Sequence, residues 1–365
     1  MRTGGWGAER SRTGIGLIEL LALLALGALP TGAQGQSFES NPAYQTARGP
    51  ISLRDMRPYN LLFLQFLPES ADVLPRKANQ FGLQLDLANN LLIPNPSGGA
   101  TVVEDNEYQR LLFSWRRGLG KQTEVALLVP ILWRDGGFLD SLILGYHRLF
   151  GLPGNAEDDP AGRAAWPQYR SILRIVDANG KVLVDQGNGF GLGETTLTLK
   201  RSLIRATPRS ALAARLGLKL PTGNPTLLLG SGSPDAGLSL DARYNVGREI
   251  ILYGNLGGIV MGKANRVPGA QSGMVQTLVG IEYRPNNRDS FILQVDGNSL
   301  AVRTGNGFAD GAQTTATFGY KRVLDRHYVL SLAYSENGDI HNYTLNGFSG
   351  IGPDITFSFG LEWHP

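Results

Sequence analysis

The sequence predicts an all-β fold, an antiparallel up-and-down transmembrane β-barrel of about 12 strands, with about 14 as the alternative. Three observations carry this reading. Segments of roughly ten residues alternate apolar and polar side chains, the period of a strand whose two faces meet different surroundings. The connections between segments are alternately short and long, as in outer-membrane barrels. Charges within the segments share one face, while Tyr and Trp gather on the other face near the short connections.

Composition agrees. The chain has 365 residues, 42% hydrophobic and only 18% charged, with 48 Gly and no Cys. The lack of Cys excludes disulfides, thiol catalysis, Cys-bound zinc and a lipidated N-terminal Cys. The net charge of +3 is small and mixed along the chain, so no nucleic-acid partner is expected.

Residues 1–35 have the three regions of a secretory signal peptide: Arg2, Arg10 and Arg12, then the apolar run 15–29, then small residues ahead of Gln36. Gly14 with Glu19 resembles a type IV prepilin leader, but Pro30 ends the apolar run and no helical spine follows. No other stretch approaches the ~18 apolar residues of a membrane helix, so a membrane form must be a closed barrel. Residues 36–79 read as a periplasmic or lumenal segment. Its apolar patch 60–67, between Pro58 and Pro68, is left without a strand partner and is expected in the lumen or at its periplasmic mouth as a partial plug.

The barrel is expected over residues 80–363. Its strands fall at 80–89, 108–117, 122–132, 192–203, 211–220, 235–244, 250–261, 274–284, 290–298, 313–322, 327–335 and 354–363. Short links lie at 118–121, 204–210, 245–249, 285–289 and 323–326, with long ones between them. Short turns on the periplasmic side and a descending last strand put both termini in the periplasm. The pair 211–220 and 235–244 shows the pattern well. Leu212, Ala214, Leu216, Leu218 and Leu220 oppose Arg215, Gly217 and Lys219, and Leu238 and Leu240 oppose Ser239, Asp241 and Arg243.

Register decides which face meets lipid. A slip of one residue turns every side chain over, and a Lys or Arg at mid-bilayer costs about 2–4 kcal/mol. The charges therefore point inward, and Asp86, Arg110, Glu194, Lys200, Arg215, Lys219, Asp241, Arg243, Glu282 and Glu362 are the expected lumen-lining residues. Their mixed signs suit a ladder of paired ions better than an ion-selective pore. Trp115, Tyr244, Tyr283, Tyr320, Tyr328 and Trp363 fall on the opposite face near the short turns or the C-terminus, as an interfacial girdle does.

The long loop 133–191 is the extracellular candidate for function. A helix over its first part would align Leu139, Ile143, Tyr146 and Phe150, with Gly151 and Pro153 stopping it. An amphipathic lid is expected there, with Phe138, Asp140, Ile143, Tyr146, His147 and Phe150 as its residues. Asn179-Gly180 between 171–176 and 181–185 reads as a tight hairpin projecting above the rim; if it spans instead, the barrel has about 14 strands.

The run from Gly137-Phe138-Leu139-Asp140 to His147-Arg148-Leu149-Phe150-Gly151-Leu152-Pro153, with Leu218-Lys219-Leu220-Pro221-Thr222-Gly223 ahead of Gly230-Ser231-Gly232-Ser233, resembles a proteobacterial outer-membrane family known only as a domain of unknown function. The Leu-Pro-Thr-Gly part also resembles barrels that admit small aromatic compounds. The resemblance covers residues 52–363, implies location and fold, and brings no catalytic residues. Such barrels commonly end on an aromatic residue read by the barrel-assembly machinery, whereas here His364 and Pro365 follow Trp363.

Candidate chemistry is sparse. His147, His327, His341 and His364 are too dispersed for a zinc site by local spacing. Asp140, Ser141 and His147 invite a hydrolase reading, but Ser141 and His147 face different sides of a helix and no Gly-x-Ser-x-Gly elbow is present. Gly187-Asn188-Gly189-Phe190, repeated at 305–308 and shortened at 346–348, opens strands rather than helices and suits turns, not phosphate binding. The acidic run 157–159 reads as a solvated loop rather than a cation site. The expected partners are outer-membrane lipids, the barrel-assembly machinery during insertion and a small-molecule permeant; no cofactor or metal is expected. The functional expectation is a channel or transporter for small molecules, apolar ones among them. A non-conducting anchor or interaction barrel is the second class, a hydrolase the third, and a soluble exported β-protein the residual one.

Overall fold

Alternation along the chain forms the strands of the described sequence: β1 Asn79–Leu92, β2 Thr101–Gly120, β3 Thr123–Asp135, β4 Ile172–Val176, β5 Val182–Gln186, β6 Gly189–Leu192, β7 Thr195–Ile204, β8 Ser210–Leu220, β9 Asp235–Asn245, β10 Ile250–Val260, β11 Gly273–Tyr283, β12 Asp289–Asn298, β13 Gln313–Val323, β14 Tyr328–Asn337 and β15 Ile355–Trp363. Among the described residues one α-helix, α1, covers Leu139–Phe150. The structure, a computed structural model, describes residues 48–92, 99–150, 169–204, 206–307, 309–337, 353 and 355–365, without the side chains of 146–148 and 150. The expected signal peptide, the acidic run 157–159, His341, Phe308 and residues 346–348 lie outside the described residues.

Twelve strands close an antiparallel ring in the order β1, β2, β3, β7 and then β8 through β15, with β15 pairing back onto β1. The Asn179-Gly180 hairpin, β4 and β5, adds no strand to the ring. It pairs Ile172–Val176 with Thr101–Asp105, the long-loop end of β2. The count of about 14 is thereby excluded, because β2 runs on past the wall and offers its free edge to the hairpin.

β6 and β7 together make one wall strand with a break. Ile131–Arg134 of β3 pair with β6 and Thr123–Leu128 with β7. Pro130 lies at the gap without an N–H to offer, and its carbonyl accepts from Gly193 N at 2.9 Å. A Cβ on Gly193 would stand 2.6 Å from Leu132 Cδ1, so glycine is needed where the chain steps past.

The faces divide by physical surroundings. Leu216, Leu238, Leu256, Val279 and Leu293 are exposed on the outside, while Arg215, Asp241 and Lys219, one residue out of phase, are buried inside. Aromatic residues form an outward belt at the short-turn end: Trp115 pairs across to Phe81, Phe81 stacks on Trp363 at 5.3 Å, and Trp363 pairs with Tyr328. An even-stranded antiparallel ring with an apolar exterior, an aromatic belt, short turns at one end and long loops at the other is the build of an outer-membrane β-barrel. No described helix is long and apolar enough to cross a membrane.

Candidate functional site

Residues 48–78 run through the inside of the ring. The segment begins at the short-turn end, where Arg48 donates to the Asn286 carbonyl at 3.3 Å, and turns at the 3-10 helix Asn60–Leu62. It then returns to Lys77, whose N–H donates to Gly118 O at 2.8 Å. The two limbs hold each other: Arg54 Nε donates to Phe66 O at 2.6 Å and Gln65 Nε2 to Asp55 O at 3.2 Å.

Backbone without regular pairing must find partners elsewhere when water is excluded. The wall supplies them. Gln294 accepts from Ile51 N at 2.8 Å and donates to Ile51 O at 3.0 Å, while Asp235 accepts from Leu64 N and Gln276 from Phe66 N. Lys219 donates to Leu62 O, Arg215 to Leu67 O and Lys321 to Pro50 O.

Each expected lumen residue lies on this inner face, and each is matched with opposite charge or hydrogen bonds. Arg110 Nε meets Asp86 at 2.8 Å, and Lys219 lies 3.2 Å from both Glu194 and Asp235. Arg215 joins Asp241 at 3.1 Å and Glu69 at 2.5 Å, and Lys200 stands 3.5 Å from Glu69. Arg243 meets Asp72 at 2.8 Å, Glu282 meets Arg284 at 2.7 Å, and Glu362 accepts from Gln80 at 2.6 Å. Buried charges are tolerated when paired and hydrogen-bonded, and removal of one partner strands the other. Within the plug, burial pushes the Asp55 carboxyl up to about 6. Burial also opposes ionisation of Glu69, but Arg215, Lys200 and Arg116 outweigh it and hold that carboxyl at about 2.

The plug fits the wall unequally. On β8, β9 and β10 it is tight: a Cβ at Gly217, Gly237 or Gly257 would come within 2.7, 2.8 or 3.0 Å of the Phe66 ring. On β2, β1, β15 and β14, a second set of small residues, Ser114, Gly82, Gly360 and Ser331, faces inward. A cavity of about 80 Å³ lies between this set and Ser52, Gln65 and Pro68 of the plug. It adjoins a cavity of about 40 Å³ toward the long-loop end through Gln65, Leu67, Leu112 and Leu128. A third, of about 30 Å³, adjoins it toward the short-turn end through Glu69, Gln80, Arg116 and Glu362.

The resulting seam has an apolar upper wall, with Leu61, Phe63 and Leu132, and a charged lower wall, with Asp72, Lys321 and Glu362. Each cavity exceeds the roughly 10–15 Å³ that one water needs but falls short of the roughly 150 Å³ of a cavity that takes benzene, so passage of an organic solute requires the plug to yield. At the long-loop end Leu228, Val267, Val302 and Ala309 pack with Tyr59, Leu62 and Phe63 of the plug tip in one apolar cluster.

The helix α1 forms where the periodicity predicts it but does not cover the lumen. Leu139 and Ile143 pack against Leu87, Tyr334, Ile355 and Phe357, all outward-facing. Asp140 accepts from Asn89 Nδ2 at 3.1 Å and from Tyr169 N at 2.9 Å, and Glu107 accepts from Leu139 N. These anchors pull the helix onto the outside of the wall, leaving Phe138, Leu142 and Leu149 exposed. The expected lid is thus an external buttress in its described part, while the side chains of Tyr146, His147 and Phe150 lie outside the described residues. An open groove of about 460 Å³ beside it is lined by Leu85, Leu87, Trp133, Phe138 and Tyr169. Ser141 Oγ donates to Phe138 O, and no group of residues suited to a metal ion occurs among the described residues.

A family profile matches residues 33–364 and is described as a protein of unknown function, DUF3187. The chain belongs to the DUF3187 family. Solved structures with likeness to this DUF3187 member include the COG4313 outer membrane channel from Pseudomonas putida F1, at 12% identity and a TM-score of 0.49, covering 82% of this chain and 99% of that one. The CymD monoaromatic hydrocarbon channel has 12% identity and a TM-score of 0.38, covering 89% and 97% of the two chains. The P. putida toluene transporter TodX has 11% identity and a TM-score of 0.37, covering 80% and 90%. These structural neighbours are channels and transporters. A comparison with curated proteins finds no match.

Sequence reasoning missed the plug's own charges, Arg54, Asp55, Arg57, Glu69 and Asp72, and the wall carboxylates Glu104 and Asp296 that pair with Arg57 and Arg54. A signal was present. Inward glycines at 217, 237 and 257 on three consecutive strands mark a wall shaped for something pressed against it.

Proposed function

We propose that this DUF3187 member is a plugged outer-membrane channel that passes small, largely apolar solutes along the seam beside its N-terminal segment. Both termini face the periplasm, and loop 133–191 lies outside the cell. One observation carries the reading: the plug is packed tightly on the β8–β10 side, whereas adjoining cavities run along the β14–β15–β1–β2 side, where it is tied by Gln84 Nε2 to Ser52 O at 3.1 Å and by Arg116 to Glu69 at 3.2 Å. An anchor with a permanently closed interior has no need of that asymmetry.

The absence of native cysteine gives a clean test. A Cβ at Gly319 would meet the Ile51 side chain, so Ile51→Cys with Gly319→Cys places two thiols in bridging range. In liposomes the oxidised protein is expected to block solute influx and the reduced protein to restore it. Equal influx in both states contradicts plug-controlled passage, and no influx through the reduced or the unmodified protein favours the anchor.

A further inference from the structure

The upper cavity of the seam carries one donor that the protein leaves unused. Arg110 is 96% buried by its 4% exposure, its Nε is committed to Asp86 at 2.8 Å, and its Nη2 has no hydrogen-bond partner among the described residues. Buried guanidinium N–H groups are ordinarily satisfied, and an exception calls for a physical reason. The Arg110 side chain lines the cavity of about 40 Å³ together with Leu61 and Phe63 of the plug and Leu112, Leu128 and Leu132 of the wall. Apolar walls with one polar group of fixed position are the common design of a small-molecule site.

The surrounding charge selects the kind of ligand. Asp86, behind the cavity wall, already balances Arg110, while the carboxylate that lines the cavity, Glu194, is held by Lys219, Gly223 N and Ser231 N. Lys219 is shared in turn with Asp235. Two cations thus face three carboxylates, and a further anion beside Asp86 and Glu194 meets repulsion in a medium that screens it weakly. A neutral oxygen accepts the free N–H without that cost.

We infer that the upper cavity of the seam binds a small, mainly apolar solute bearing one uncharged hydrogen-bond acceptor, a carbonyl or ether oxygen, against the Arg110 guanidinium. The solute displaces the plug side chains Phe63 and Gln65 to gain room, which links its binding to opening of the path. This rests on the channel reading for its purpose, but seating of the solute is measurable without flux.

Crystals of the intact protein soaked with graded cyclopentanone, cyclopentane or cyclopentanecarboxylate provide the test, read as occupancy at Arg110. The ketone is expected to seat with its oxygen within hydrogen-bond distance of the guanidinium, at least about tenfold more tightly than either comparator. Arg110→Lys keeps the charge facing Asp86 but lacks the forked donor, and is expected to lose most of the preference. Equal occupancy by ketone and hydrocarbon, preference for the carboxylate, only water at the guanidinium, or an unchanged preference in Arg110→Lys overturns the assignment. The ligand series on the unmodified protein decides the matter if that variant does not fold. Ketone seated at Arg110 without any flux overturns the channel but not the site, and flux without seating does the reverse.

Discussion

The two sides of the lumen contrast sharply although both are built from alternating strands with small inward residues. On β8 to β11, Lys219, Ser239, Asp241 and Gln276 are all fully buried beneath the plug. On β14, β15, β1 and β2, Ser331, Glu362, Gln84 and Ser114 retain partial exposure inside the same ring. The difference lies in what the plug offers each side. Phe66 and a run of backbone hydrogen bonds meet the first, while the second receives Ser52 and Pro68 with two polar ties, Gln84 Nε2 to Ser52 O and Arg116 to Glu69. A wall with small residues is therefore either a socket or a passage, depending on the guest's side chain.

The largest effect expected of this contrast is at Lys219, whose ammonium serves Glu194, Asp235 and the Leu62 carbonyl together. Lys219→Met leaves two buried carboxylates without their cation and should cost about 3–5 kcal/mol, seen as a fall in the temperature at which the barrel loses its compact gel mobility. Glycine-to-alanine changes come next and separate the sides directly. Gly237→Ala drives a methyl to 2.8 Å from both Phe66 and the Gly258 carbonyl and should destabilise by about 1–3 kcal/mol. Gly360→Ala meets chiefly the rotatable Ser331 hydroxyl, and thermal unfolding should change by less than about 0.5 kcal/mol. Equal losses at the two glycines remove the distinction.

A smaller, pH-dependent effect separates the tip of the plug from its base. Burial raises Asp55 to about 6 from an ordinary value of 3.8, so its protonated form favours the folded state and that contribution declines as pH rises through about 6. Glu69, held at about 2 against an ordinary 4.5, contributes above 4.5 and loses this as pH falls toward 2. Between about pH 4.5 and 6.5 the unfolding temperature should therefore drift down through Asp55, and Asp55→Asn should flatten the drift.

The ring was legible in the sequence because lipid imposes a penalty on every misplaced charge, which makes Arg215 against Leu216 or Asp241 against Leu240 unambiguous. The inward charges followed from the same rule, since parity alone settles their face. The plug was harder to read. Residues 48–78 carry no period, because each peptide group finds its own wall partner, such as Gln294 for Ile51 or Asp235 for Leu64, rather than a neighbouring strand. The helix α1 shows the opposite failure. Its apolar stripe was visible, but a stripe specifies only that something apolar lies opposite, and Leu87 with Phe357 on the outer wall satisfies it as well as a lumen mouth would. The seam was invisible, because a cavity arises where side chains of two distant segments fail to meet.

The contrast between socket and passage is tested most directly by thiol labelling from water at two inward serines in separate single-cysteine variants. Ser114→Cys, beside the cavity of about 80 Å³, is expected to react with a small charged methanethiosulfonate and to lose most solute influx on modification. Ser239→Cys, fully buried under the plug on the socket side, is expected to stay unlabelled. Labelling of Ser239→Cys as fast as Ser114→Cys, or full influx after complete modification at Ser114→Cys, contradicts a path on that side of the barrel.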